Sequence, residues 1–168
     1  MNSIVEIIEG LYAGPGCVDL DELGIDIDII LSLDPSCPAT GGRKRRVTPI
    51  ENLGIEPLGN VGRALETLYR EHFLKHSRVY VHCYAGCGRT GTVVIAYLFL
   101  FHNYSLEEAV NLFYSKRFCG PESWEQHKFL DVTWRLKRKG LTALEIVELI
   151  KESRDLGEYI GRMHTSGY

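Results

Sequence analysis

The sequence lacks any apolar run long enough to cross a membrane. Its longest apolar stretch, residues 92–101, falls short of the roughly 20 residues that a transmembrane helix needs. The N-terminus also lacks the basic region followed by an apolar segment that marks a signal peptide. We therefore expect a soluble protein that does not bind membranes.

The sequence also lacks an excess of charge of one sign and a regular spacing of cysteines. The net charge is -3 and the isoelectric point is near 6.1, so no general attraction to nucleic acid is expected. An odd number of cysteines at irregular positions does not predict a disulfide framework. The cysteines are Cys17, Cys37, Cys83, Cys87 and Cys119. This pattern predicts unpaired thiols in a reducing compartment, the cytoplasm.

The length of 168 residues fits one domain, 1–168, with a substantial core. Runs of β-branched and aromatic residues between turn residues predict strands at 4–8, 10–16, 25–33 and 46–48. Asp19 followed by Glu22 predicts a short capped helix between the second and third strands.

The second half of the chain carries the patterns of helices. Ser105 with Glu108 and Thr142 with Glu145 are capping-box pairs, each ahead of an apolar helical face. The last helix and the tail are predicted at about 141–168. Strands with interposed helices, followed by a helical run, predict a three-layer α/β/α fold with a short, mostly parallel central sheet.

Residues 82–91, which read His-Cys-Tyr-Ala-Gly-Cys-Gly-Arg-Thr-Gly, form the most informative segment of the chain. A strand-like run precedes them and an apolar helical run follows, so the glycine-rich loop opens a buried helix. Backbone N–H groups in such a loop bind anions. Cys83 is expected to be a thiolate there, and the planar fork of Arg89 matches phosphoryl oxygens. The segment therefore predicts a phosphate cradle with a nucleophile.

Two other interpretations of these cysteines are weaker. Cys83 and Cys87 could be inert packing residues, but packing gives no reason for the glycines and the arginine. A zinc site formed by His82, Cys83 and Cys87 would need a fourth ligand and would place Arg89 beside the metal without a partner. We therefore predict no metal site.

The string His-Cys-x-x-Gly-x-x-Arg-Thr-Gly resembles the signature loop of the protein tyrosine phosphatase superfamily. Its position in mid-chain, after several predicted elements, resembles the small dual-specificity branch. Residues 10–14, the segment 23–33, and Arg117 with Gln126 nine residues later resemble that branch as well, so the resemblance covers residues 4–136. It implies a dual-specificity phosphatase-like fold and a cysteine-dependent phosphatase, a phosphoric monoester hydrolase.

The resemblance also implies roles for individual residues. Cys83 attacks phosphorus, Thr90 eases departure of the thiolate, Gln126 positions water, and His82 supports the loop. Phosphate is held by Tyr84, Ala85, Gly86, Cys87, Gly88 and Arg89. No metal or organic cofactor is needed. Gln126 has a second interpretation, because Ser123 to Gln126 is also a capping-box pattern.

The chain departs from the family pattern at the general acid. Members of the family usually carry an aspartate in a Pro-Ile-x-Asp stretch, whereas residues 49–52 here read Pro-Ile-Glu-Asn. Asn52 therefore occupies the place of the acid, and an amide cannot donate the proton. The candidates for the acid are Glu51 and Glu122, followed by Glu56 and Asp34.

We predict a monomeric protein phosphatase whose partner is a phosphorylated protein or peptide and whose substrate is phosphotyrosine. Whether phosphoserine and phosphothreonine are also taken stays open at this point. One alternative is a phosphatase of non-protein phosphates, a phosphoinositide or an RNA 5′-phosphate, suggested by the basic run 43–46. The other is a pseudophosphatase that only binds phosphate. Cys87 is expected to pack beneath the cradle, although a disulfide from Cys83 to Cys37, Cys87 or Cys119 is also conceivable.

Overall fold

The computed structural model of the protein describes residues 4–165. Residues 1–3 of the predicted domain and residues 166–168 of the predicted tail lie outside this range. The strands are β1 (Val5–Ile8), β2 (Leu11–Gly14), β3 (Ile29–Ser32), β4 (Lys44–Val47) and β5 (Val79–His82).

The five strands form one sheet in the order β1-β2-β5-β3-β4, with β5 at its centre. β1 pairs with β2 in antiparallel orientation, and all other neighbours are parallel. The register places Gly14 of β2 and Ser32 of β3 beside His82 of β5. The three loops that follow these strands therefore leave the same edge of the sheet side by side.

Six α-helices complete the fold of residues 4–165. They are α1 (Leu58–Leu68), α2 (Gly88–Phe101), α3 (Leu106–Arg117), α4 (Trp124–Arg138), α5 (Ala143–Glu152) and α6 (Leu156–Thr165). A π-helical segment, Tyr69–Leu74, extends α1. Capping boxes begin α3, α4 and α5, as the sequence predicts.

The two faces of the sheet are covered differently. Successive strand side chains point to opposite faces, so Val79 and Val81 of β5 join the main core with the helices, whereas Tyr80 belongs to a smaller cluster. That smaller cluster is completed by Leu20, Ile27, Ile30 and Ala39. The predicted three-layer α/β fold with a short, mostly parallel sheet is confirmed, and segment 17–42 contributes to the layer on the second face.

Two local predictions were wrong. Residues 20–24 form turns and not a short helix. Asp19 Oδ1 accepts hydrogen bonds from the backbone N–H groups of Asp21 and Glu22, as a helix N-cap would, but Gly24 adopts a φ of +69° and ends the structure after one turn. β4 covers Lys44–Val47 and starts two residues earlier than predicted. Its start is set by pairing with β3 and not by the type of residue.

Within residues 4–165, no helix is both long and apolar enough to cross a membrane.

Candidate active site

The signature loop lies between the end of β5 and the first turn of α2. Its bend requires Gly86, whose φ is +77°, a left-handed conformation that a residue with a Cβ rarely adopts. A Cβ at Gly86 would also collide with the carbonyl group of Gly14. The loop can therefore pack against the end of β2 only with a glycine at this position.

A pocket of about 420 Å³ opens over this loop. Cys83 lines the pocket, is only 3% exposed, and is the one cysteine in residues 4–165 that is not in a disulfide. The other lining residues are Asp34, Ser36, Asn52, Leu53, Tyr84, Ala85, Gly88, Arg89 and Glu122. Of the predicted phosphate-binding residues, Gly86 and Cys87 lie outside this lining. Among the described residues, no group of three or more His, Cys, Asp or Glu side chains could hold a metal ion.

Two hydrogen bonds fix the orientation of Arg89, which is almost completely buried. Its Nη1 donates to the carbonyl oxygen of Ile50 at 2.9 Å, and its Nη2 pairs with Asp34 Oδ2 at 3.0 Å. A guanidinium has five N–H groups, so three remain for an oxyanion. Arg89 is therefore held in place before a phosphate binds.

Asp34 is the anchor of that ion pair. Its Oδ1 accepts hydrogen bonds from Ser36, at 2.9 Å from the backbone N–H and 2.5 Å from the hydroxyl. Burial opposes the charged form of Asp34, but the hydrogen bonds from Ser36 and Arg89 outweigh it and hold the pKa of the carboxyl below its usual value. Asp34 is thus stabilised as a carboxylate and is a poor proton donor.

His82 is fully buried on β5 behind the nucleophile. The N–H of Ala39 donates to His82 Nε2 at 3.4 Å, so Nδ1 carries the proton and donates to the carbonyl oxygen of Cys83 at 2.8 Å. Burial lowers the pKa of His82, and the hydrogen bond to Cys83 only partly opposes this shift. A neutral imidazole therefore fixes the backbone of Cys83.

Thr90 lies in the first turn of α2 and is fully buried. Its hydroxyl oxygen has no hydrogen-bond partner among residues 4–165. A buried hydroxyl without a partner is unfavourable, and such groups occur where function requires them. The hydroxyl is therefore available to a thiolate or a bound phosphate.

Arg117, the last residue of α3, donates hydrogen bonds to backbone carbonyl groups of the signature loop. Its Nε donates to the carbonyl oxygen of Gly86 at 3.2 Å and its Nη2 donates to that of Ala85 at 2.8 Å. Burial lowers the pKa of Arg117, although Tyr80 and Cys83 counteract this shift. In the sequence, only the family resemblance points to Arg117. Its position in the last turn of a helix gave no other signal.

Gln126 serves as a capping residue of α4. Its Oε1 accepts hydrogen bonds from the backbone N–H groups of Glu122 at 2.8 Å and Ser123 at 3.3 Å, and its Nε2 donates to the carbonyl oxygen of Gly54 at 3.1 Å. A Cβ at Gly88 would lie 3.1 Å from Gln126 Oε1. The same side chain therefore caps α4 and lies against the signature loop.

The four candidates for the general acid are in different places. Glu51 packs its carboxyl against Gly54, and Glu56 Oε2 accepts a hydrogen bond from the backbone N–H of Leu156 at 3.2 Å, so neither lines the pocket. Asp34 lines it but is paired with Arg89. Glu122 also lines it, and its Oε1 lies 2.5 Å from where a Cβ on Gly88 would stand.

The prediction of unpaired cysteines was wrong, because four of the five form disulfides. Cys17 is bonded to Cys37, and Cys87 is bonded to Cys119. Cys87 is thus not a free packing residue, and the three candidate partners for an oxidised Cys83 are already paired. The spacings of 20 and 32 residues follow no recognisable pattern. The partners meet only when the loops around the signature loop have packed.

Reduction of these disulfides is expected to lower the free energy of unfolding by about 3 kcal/mol for each bond, because each closes a loop of the unfolded chain. Urea denaturation with and without a phosphine reductant measures the difference. The double variant Cys17→Ser/Cys37→Ser is the control and should lose only the contribution of one bond. Superimposable unfolding curves, together with alkylation of all five thiols in unreduced native protein, would contradict the expectation.

Comparison with known proteins bears on this arrangement. The family model described as "Dual specificity phosphatase, catalytic domain" matches residues 58–131, which include the signature loop. Mouse dual specificity protein phosphatase 13B is 32% identical to this chain over 156 residues, and the match covers 83% of the chain and 77% of that protein. The chain belongs to the dual-specificity phosphatase family.

Two further comparisons are with a second relative in sequence and with a solved structure. Rat phosphatidylglycerophosphatase and protein-tyrosine phosphatase 1 is 37% identical over 70 residues, which cover 42% of the chain and 36% of that protein. The chain thus matches only about a third of the length of that relative. The crystal structure of Tk-PTP in its active form aligns with a TM-score of 0.69 at 23% identity, over 79% of this chain and 97% of that chain. This similarity supports the fold.

Proposed function

We propose that the protein hydrolyses phosphotyrosine in proteins or peptides through a cysteinyl-phosphate intermediate. The observation that carries this proposal is the placement of buried Cys83 and anchored Arg89 in the lining of one pocket above a helix N-terminus. The test is to mix the enzyme with a radiolabelled phosphotyrosine peptide and quench within milliseconds in acid. We expect a labelled protein in which Cys83 carries the phosphate.

In the first step, the Cys83 thiolate forms a bond to phosphorus in line with the ester oxygen, whose bond to phosphorus breaks. The Arg89 guanidinium and the loop N–H groups hold the equatorial oxygens, on which charge increases. The leaving oxygen takes a proton from the general acid. In the second step, water attacks phosphorus and gives a proton to the conjugate base of the general acid, and the bond from phosphorus to sulfur breaks. The Thr90 hydroxyl stabilises the departing thiolate by donating a hydrogen bond.

Gln126 is the candidate for positioning the attacking water in this second step. Its Nε2 has two protons and uses one on Gly54, so one remains for a water oxygen. Its Oε1 already accepts two backbone hydrogen bonds. The proposed role therefore belongs to the amide nitrogen, and capping holds that nitrogen in place.

Glu122 is the general acid that best fits the pocket. Asn52 stands where the family pattern has aspartate, Glu51 and Glu56 are directed elsewhere, and Asp34 is stabilised as a carboxylate. Glu122 lies beside Gly88 in the lining of the pocket, and no hydrogen bond within residues 4–165 engages its carboxyl. Glu122 lies on an exposed segment, so it should protonate the leaving oxygen less effectively than an acid at the position of the family aspartate. Phenolate should therefore leave more readily than the more basic alkoxide of phosphoserine.

Glu122→Gln is expected to lower kcat on phosphoserine peptides by about 100-fold and on phosphotyrosine peptides by less, because a poor leaving group depends more on protonation. The rate should also fall more steeply with the basicity of the leaving group along a series of phenyl phosphates.

Glu51→Gln is the matched control for Glu122, since it removes a nearby carboxyl that does not line the pocket. Its rate should stay within about twofold of wild type. An unchanged leaving-group dependence in Glu122→Gln, combined with a steeper one in Asp34→Asn, would assign the acid to Asp34 instead.

The alternatives from the sequence have less support. Three residues of the basic run 43–46 lie on edge strand β4 and Arg43 directly precedes it, and all four are outside the pocket lining. Arg43 pairs with Asp28 and Lys44 with Glu71, so these cations have structural partners. A pseudophosphatase would have no use for a nucleophile. A lipid phosphate monoester remains the second candidate, because the rat relative is named as a phosphatidylglycerophosphatase as well.

Monomeric state and cytoplasmic location stay predictions. Unpaired cysteines would indicate the reducing cytoplasm. Because four cysteines form two disulfides, the cysteines no longer indicate that location. Sedimentation of the oxidised protein would measure the oligomeric state directly.

A further inference from the structure

Exposed apolar side chains stand at the mouth of the phosphate pocket. Leu53 and Tyr84 line the pocket and are 52% and 64% exposed. We call these two residues the apolar rim. Trp124, two residues after Glu122, and Phe118, one residue before the Cys119 that is bonded to the signature loop, are exposed as well. Large apolar side chains that are left exposed around a cavity mark a binding surface.

The backbone of Leu53 points to the same conclusion. The N–H of Gly54 donates to the carbonyl oxygen of Glu51 at 3.1 Å, so residues 51–54 form a turn with Leu53 in its third position. Leu53 has a φ of +59°, and glycine or asparagine is favoured at such a position. Half of its side chain is exposed, so burial does not offset the strain. Strained residues of this kind persist where a ligand uses them.

The charges of the pocket restrict what the rim can contact. Of the described residues that line it, Arg89 is the only cation, whereas Asp34 and Glu122 are carboxylates. Arg89 is already engaged by Asp34 and would be shared with the phosphate that reacts. A second phosphate or an acidic residue next to the ester would therefore meet carboxylates without a compensating cation.

We propose that the apolar rim selects phosphotyrosine peptides whose neighbouring residues are apolar, and that the mouth rejects substrates with a second anionic group beside the ester. This inference rests on the proposed phosphatase reaction and names its substrate class. Leu53 and Tyr84 bury apolar peptide side chains while the loop holds the phosphate.

A membrane lipid fits the mouth less well than a peptide does. The cytoplasmic leaflet is negatively charged, and proteins that dock on it use clustered lysine and arginine residues. Here Glu122 and Asp34 line the pocket, and the basic run at β4 is outside the pocket lining. A phosphotyrosine peptide brings apolar surface without a sheet of further negative charge.

The test compares two phosphotyrosine peptides that differ only in the residues on either side of the tyrosine, leucine in one and glutamate in the other. We expect kcat/KM to be about tenfold higher for the leucine peptide, which corresponds to burial of part of one or two side chains. Leu53→Asn suits the turn and should keep the stability of the fold, and the ratio of the two kcat/KM values cancels any change that affects both peptides equally. The variant should reduce the preference to about twofold.

Leu144→Asn is the matched control, because Leu144 is 48% exposed on α5 and does not line the pocket. It should keep the full preference. Equal kcat/KM for the two peptides in wild type, with normal turnover of a small aryl phosphate, would overturn this inference alone. Faster turnover of a monophosphorylated inositol lipid in vesicles than of either peptide would replace the peptide with a lipid. No turnover of the aryl phosphate by wild type would overturn the proposed function too.

Discussion

Cys83→Ser is expected to lower kcat on phosphotyrosine peptides by about 10⁴-fold or more while oxyanion binding persists. A serine hydroxyl is not ionised at neutral pH, so no nucleophile remains. The groups that hold the anion are unchanged, because Arg89 is fixed by Ile50 and Asp34 and the loop carbonyls are fixed by Arg117. Stopped-flow turnover and calorimetric titration with inorganic phosphate measure the two effects separately.

Cys83 can be replaced without disturbing the disulfides, since it is the one cysteine of the described chain outside them. The urea unfolding curve of Cys83→Ser serves as the control for folding and should match that of wild type. Turnover near the wild-type rate in this variant would mean that phosphate is transferred directly to water. The cysteinyl-phosphate mechanism would then be wrong.

Arg89→Lys is expected to lower kcat by about 100-fold to 1000-fold and to weaken phosphate binding as well. A lysine ammonium keeps the charge but not the planar fork, so it cannot donate to two equatorial oxygens at once. It also cannot reach Ile50 and Asp34 with the same geometry, which leaves Asp34 without its partner. Arg89→Ala should lose more of the binding, because the charge is removed too.

Arg46→Lys provides the control for Arg89→Lys, because Arg46 lies on the exposed edge strand β4 outside the pocket lining. Its kinetic constants should match those of wild type within about twofold. If Arg89→Lys kept both kcat and the dissociation constant for phosphate, the oxyanion would be held by the backbone alone. The ion pair between Arg89 and Asp34 would then make no contribution to catalysis.

The proposed general acid lies on a different segment from the aspartate of the family pattern. In this protein Asp34 holds Arg89, and the proposed acid, Glu122, comes from the segment before α4. The backbone N–H of Glu122 donates to Gln126 in the first turn of α4, and the segment is tied to the signature loop by the bond between Cys87 and Cys119. Groups for both chemical steps would therefore move together with one stretch of chain.

The sequence alone determined the features that depend on neighbouring residues. The loop 82–91 has its cysteine, glycines and arginine close together in the sequence, so its composition predicts the nucleophile and the cradle. The capping boxes of α3, α4 and α5 were predicted correctly, because each joins residues three apart. The alternation of strands and helices was sufficient for the sheet, since parallel strands need crossover connections.

Only the tertiary structure decided the features that join distant parts of the chain. Asp34 reaches Arg89 across 55 residues, and Arg117 reaches Gly86 across 31. The first pair arises because β3 and β5 end at the same edge of the sheet and bring their following loops together, and the second because α3 packs against α2, which follows the signature loop. Neither disulfide has a spacing that a sequence pattern could reveal, and the choice among four carboxylates depended on where each side chain points. Residues close in sequence determine the signature loop and the helix caps, whereas the packing of distant segments determines which groups contact the site residues.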